Sequence, residues 1–301
     1  MRYNHFMTEQ QDISWHYRKI RIILIWILVL NWAVAFAKIF YGWLSKCESM
    51  SADGFHSLSD GISNVICLIG IHFACRPVDK DHPYGHKKYE TLFSLAIAGL
   101  LFLVCYNLIR EGIDRIQHPL SPQINLISFI IMLTTLAVNF WVMSYEYKKG
   151  KLLKSDILVS DSQHTKADIF TSISVIIGLV VMKLNPALAI IDPIITLMIS
   201  LFIAHAGWEI AKESSSVLCD TAVIMDDKKI TGIVLAIKGV KNCHKIRTRG
   251  RSDDIHIDLH VQVNRHMHID EAHKISYNIE KSLKNDIPGV TDVVVHLEPK
   301  E

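Results

Sequence analysis

The sequence predicts an α-helical membrane protein with six transmembrane helices, followed by a cytoplasmic α+β domain of ferredoxin-like type in the order αββαβ. Three observations lead there. Half of the 301 residues are hydrophobic and 21% are charged, against about 25% charged in a typical soluble chain. The long apolar runs are confined to residues 20–212, behind a polar cytoplasmic segment, 1–19. Residues 213–301 read as a charged domain that mixes helical periodicity with strict two-residue alternation. These figures exclude a collagen, a disordered chain and a disulfide-stapled miniprotein. A net charge of +2 gives no basic excess for nucleic acid.

A membrane helix needs about 20 mostly apolar residues. Six segments qualify: Ile20–Leu44, Ser51–Cys75, Thr91–Ile109, Ile124–Ser144, Ile169–Met182 and Pro186–Trp208. The first is interrupted only by Lys38. The second is apolar only in its later half, and the fifth reaches spanning length only if its helix begins before Asp161. The N-terminal stretch is too polar to be a signal peptide, so the first run is read as a retained span. Lys and Arg crowd the leader, the 2–3 loop (Arg76, Lys80, Lys87, Lys88) and the 4–5 loop (Lys148, Lys149, Lys151, Lys154). The positive-inside rule then places both termini in the cytoplasm. Six cysteines without a CxxC pair read as reduced packing residues.

In the soluble part, Asp226–Ile237 has helical spacing and opens with acidic residues, as a helix start prefers. Cys243–Arg249 reads as a strand. Ile255–Val263 alternates strictly, giving a strand with one wet face that carries His256, Asp258 and His260. Ile269–Leu283 is a second helix, and Val290–His296 a third strand.

Spans two and five share one string, D-x-x-H-x-x-x-D: Asp53, His56, Asp60 and Asp161, His164, Asp168. On a helix, residues four apart share a face. Two such helices packed together offer two imidazoles and two carboxylates, the ligand number and type for tetrahedral Zn²⁺ or a similar dication. The bare site would hold two negative charges in a low-dielectric setting, so protons should enter as the metal leaves. Histidine suits that exchange near neutral pH. The plainer alternative is a set of buried packing hydrogen bonds. Asp53 and Asp161 read either as an access path or as helix caps.

Ala52 to Asp60 (ADGFHSLSD), followed by Asp81 to Glu90 (DHPYGHKKYE), resembles the cation diffusion facilitator family of divalent-metal exporters. The resemblance runs from span one to the C-terminus. It implies a transport site of His56, Asp60, His164 and Asp168, and a homodimer held through the cytoplasmic domain. Its two-His, two-Asp set is more similar to the zinc exporters; manganese-type members replace His with Asp or Asn. It also implies a loop site of Asp81, His82 and His86, and a charge interlock between Lys88 and Asp220. In the soluble domain it implies a site of His244, His260 and His296, with a neighbour of His273, His296 and Glu298, where metal would act as a regulatory ligand. The expected activity is Zn²⁺/H⁺ antiport out of the cytoplasm of a bacterial cell, across its inner membrane. Efflux of Fe²⁺, Mn²⁺, Co²⁺ or Cd²⁺, a metal-sensing scaffold and an intramembrane metallohydrolase are the alternatives. The last is disfavoured because no HExxH occurs in the chain.

Overall fold

Polar interruptions in the second and fifth apolar runs do not stop helix formation, because every backbone group in lipid must be satisfied within its own segment. The computed structural model describes residues 2–44, 48–117, 126–184, 191–223 and 227–300. Six long helices come first: α1 (Arg2–Leu44), α2 (Glu48–Ala74), α3 (Lys88–Gln117), α4 (Leu126–Leu152), α5 (Asp156–Leu184) and α6 (Ile191–Leu218). The polar leader continues the first span as one helix rather than forming a separate segment. Helix α5 begins five residues before Asp161, which gives the fifth run its spanning length. Among the described residues, four helices carry stretches long and apolar enough to cross a membrane: Trp15–Phe40, Lys88–Asp114, Phe129–Leu152 and Pro193–Leu218. The other two long helices, α2 and α5, carry the repeated polar string.

The chain divides into two compact units, Met1–Ser214 and Ser215–Glu301. In the first, one cluster joins Ile20, Leu24 and Ile27 of α1 to Cys67 and Ile71 of α2, Ile97 of α3, Val142 of α4, and Ile157 and Leu158 of α5. A second joins Ala98 and Leu101 of α3, Ala167 of α5 and Ile203 of α6. Helices α4 and α5 meet through a tight connection in which the Ser155 N–H donates to the Gly150 carbonyl at 2.9 Å and Lys154 takes φ 49°. Lys148, Lys149 and Lys151 therefore lie on the last turns of α4, not in a loop.

The second unit contains α7 (Asp227–Leu235), β1 (Asn242–Arg251), β2 (Asp254–Asn264), α8 (Ile269–Asp286) and β3 (Val290–Lys300). The order is αββαβ. The strands lie in the order β1-β2-β3, with β1 and β2 antiparallel and β2 and β3 parallel. Ile255, Ile257, Leu259, Val261 and Val263 alternate inward from β2 and pack against Ile230 and Val234 of α7 and Ile275, Ile279 and Leu283 of α8. The opposite face of the sheet is the wet one.

Candidate metal centres

His164 and Asp168 stand one turn apart on α5, as their spacing requires. His164 is buried at 6% exposure, and its Nδ1 has no hydrogen-bond partner among the described residues. Both line a cavity of about 30 Å³, which also touches Asn31 and Val34 of α1, Ser57 of α2 and Asn139 of α4. That volume suits a water or a single desolvated ion. His56, Asp60 and Asp53 lie on α2, but their side chains fall outside the described residues.

Asp161 is a buried strut rather than a cap: it lies inside α5, and Asp53 likewise lies inside α2, so the cap alternative fails for both. The Asn64 Nδ2 donates to Asp161 Oδ2 at 2.5 Å, and the Asn31 Nδ2 donates to Asn64 Oδ1 at 3.0 Å. Helices α1, α2 and α5 are thereby tied at the level of the cavity. Sequence reasoning missed Glu146 of α4. It is fully buried, lies beside Asp161, and accepts from Thr165 Oγ1 at 3.2 Å. The sequence ended the fourth span at Ser144, which left Glu146 in a charged loop. The lysines that follow concealed its inward orientation.

The 2–3 loop gathers Asp79, His82 and His86, not Asp81. Asp79 Oδ1 accepts the N–H of Asp81 at 3.0 Å and of His82 at 2.7 Å, an Asx-type turn in which Asp81 supplies only backbone. His82 Nδ1 lies 3.2 Å from Asp79 Oδ1, and His86 Nε2 lies 3.3 Å from Oδ2. Gly85, at φ 86°, reverses the chain so that His86 returns beside His82, with ring centroids 4.3 Å apart. The His82 N–H, followed by the neighbouring imidazoles, holds the Asp79 carboxyl below its ordinary value of 3.8. Lys88 opens α3, and Asp220 follows α6 with φ 57°, one in each unit.

In the second unit, strand register sets His244, His260 and His296 in one row: His244 pairs with His260, and His260 with His296. Ring centroids are 5.7 Å and 4.5 Å apart. Glu298, two residues on and on the same face of β3, reaches back across the row. Its carboxylate lies 2.6 Å from His260 Nδ1, 3.2 Å from His244 Nε2 and 3.8 Å from His296 Nε2. The hydrogen bond with His260 is the main reason its carboxyl is held below the usual value of 4.5. The tightest cluster is His244, His260 and Glu298. His273 does not join it. It is exposed on α8, which covers the apolar face of the sheet, whereas the row lies on the wet face. Asp258 faces Arg247 and Arg249 at 3.4 and 3.5 Å instead.

Comparison with known proteins gives a consistent answer. The profile of the cation efflux transmembrane domain matches residues 24–219, and that of the cation efflux protein cytoplasmic domain matches residues 225–300. An uncharacterized transporter of Methanocaldococcus jannaschii is 29% identical over 285 residues, covering 93% of this chain and 99% of the relative. The manganese efflux system protein MneS of Bacillus subtilis is 30% identical over 264 residues, covering 88% and 90%. The cation-efflux pump FieF of Cronobacter sakazakii is 24% identical over 263 residues, covering 87% of each. The chain is an integral membrane member of the cation efflux family, also called cation diffusion facilitators, and transports divalent metal rather than catalysing a reaction.

Proposed function

We propose that this transporter exports Zn²⁺ from the cytoplasm in exchange for protons, through a site made by His56, Asp60, His164 and Asp168. The observation that carries the reading is the buried His164 ring, whose unpartnered nitrogen belongs to a residue lining the same ion-sized cavity as Asp168. A buried nitrogen without a partner is costly unless something binds it. The two carboxylates cancel a dication. When the ion leaves, protons replace it on the carboxylates and imidazoles, because an uncompensated double charge is unfavourable in this setting. Alternating exposure of the loaded and protonated states then couples the two flows.

The loop and cytoplasmic clusters are assigned as further cytoplasmic metal sites that bias which arrangement the transporter occupies. An ion that binds one arrangement better shifts the population toward it. The working unit is a homodimer joined through residues 213–301, in a bacterial inner membrane with both termini in the cytoplasm. Manganese is the second reading, favoured by the names of MneS and of a further relative, MneP.

The test is metal flux in proteoliposomes under an imposed pH gradient. The gradient should drive Zn²⁺ movement, and His164→Ala or Asp168→Ala should abolish it. Wild-type flux from His164→Ala would overturn the site, and metal binding without flux would indicate a scaffold. Competition between Zn²⁺ and Mn²⁺, run beside His56→Asp, decides the cargo. If Zn²⁺ is the cargo, that substitution should move preference toward Mn²⁺.

A further inference from the structure

Lys38 is an ionisable residue of α1 that the cargo ligands leave unexplained. It is 5% exposed and lies within Trp15–Phe40, a stretch with the length and hydropathy of a membrane span. A charged side chain at such a position is costly and is a functional candidate by default. Asn31, Val34 and Lys38 follow at intervals of three and four, so they share one face of α1. The first two line the cavity of His164 and Asp168. The Lys38 Nζ donates to Ser57 Oγ at 2.9 Å. Ser57 lines that same cavity and directly follows His56 in the chain.

We propose that Lys38 is a resident cation of the transport site: a fixed positive charge that stabilises the carboxylates when cargo is absent and weakens the hold on the divalent ion so that it can leave. The proposal rests on the reading that His164 and Asp168 bind the cargo. Counted together, the two carboxylates of the proposed ligand set and the Lys38 ammonium sum to a single net negative charge, which fewer protons can neutralise. The same ammonium repels an arriving dication. In a site screened from water, like charges interact far more strongly than they would at the surface. Lys38 is therefore a specificity and release determinant, not a ligand. The competing role is mechanical: an aliphatic stem that packs, with its head merely solvated.

The two roles differ in sign. Initial rates of Zn²⁺ flux into proteoliposomes, measured on the full chain across a range of Zn²⁺, separate KM from kcat. Lys38→Met and Lys38→Gln should each lower KM by about tenfold or more, and lower kcat because release slows. Lys38→Gln retains a donor toward Ser57 without the charge, so it guards against misfolding of Lys38→Met. Lys38→Arg keeps the charge and should keep the wild-type KM. An unchanged or raised KM in Lys38→Gln, in protein that purifies as the wild type does, would overturn the proposal. His164→Ala in the same assay tests the underlying site: retained flux there removes the site assignment itself. Abolished flux together with an unchanged KM in Lys38→Gln removes only the role given to Lys38.

Discussion

Asp79 shows how a backbone turn decides which of two nearby carboxylates joins a candidate metal cluster. The run Asp81-His82 places a carboxylate and an imidazole side by side in sequence, and from the string alone Asp81 is the natural ligand. The turn reverses that choice. Asp79 takes the N–H groups of Asp81 and His82, and the same carboxylate then faces both imidazoles. Loss of an outer-shell partner alone costs about 10–100-fold in metal affinity, and loss of a ligand should cost at least that. Equilibrium dialysis of the purified transporter should therefore find one fewer bound ion per chain for Asp79→Ala, and an unchanged count for Asp81→Ala. The Asp79 carboxyl is held below 3.8, so it remains charged as pH falls from 7 to about 5. The two histidines were legible in the sequence because their spacing is regular. Their carboxylate was not, because its position depends on a backbone turn.

At the scale of elements, helices α2 and α5 carry the repeated polar string, and the tie between them explains why polar residues are tolerated there. Asn64 lies one turn beyond Asp60. It bridges Asn31 of α1 and Asp161 of α5. Asn64→Leu would leave the buried Asp161 oxygen without this donor and Asn31 without its acceptor. An unsatisfied buried polar group costs about 1–3 kcal/mol. Thermal unfolding in detergent should show Asn64→Leu less stable by that order, with secondary structure retained. An unchanged melting point would mean that water or another partner substitutes. The D-x-x-H-x-x-x-D repeat was readable as a pattern, yet its leading aspartate was not readable as a strut. That role depends on Glu146 and Asn64, which lie on neighbouring helices at unrelated positions in the sequence. Helix period reveals which residues share a face, but not what the facing helix brings to it.

At the scale of the whole molecule, the two units have separate cores. Every residue of the sheet-and-helix core falls between Val223 and Leu297, and neither helical cluster contributes to it. A domain with its own core can fold alone, so the excised residues 215–301 should unfold cooperatively without the helical bundle. This unit was the most legible part of the chain, because strict alternation in Ile255–Val263 fixes which face is buried and hence which face carries the histidine row. The row then makes a sharper prediction. An ion that binds only the folded form stabilises it by about 2.7 kcal/mol when its free concentration is 100 times its Kd. Zn²⁺ should therefore raise the melting temperature of the excised unit. Glu298→Gln should largely remove that rise, since Glu298 is the residue that reaches both His244 and His260. Without metal, the same carboxylate sets an acid response. Its pKa is lower in the folded form than its ordinary value of 4.5. Its contribution to stability is thus present above pH 4.5 and is lost as pH falls through the lowered folded value. Below pH 4.5 the wild-type unit should lose stability more steeply than Glu298→Gln. A Zn²⁺ response that survives in Glu298→Gln would place the bound ion away from the histidine row.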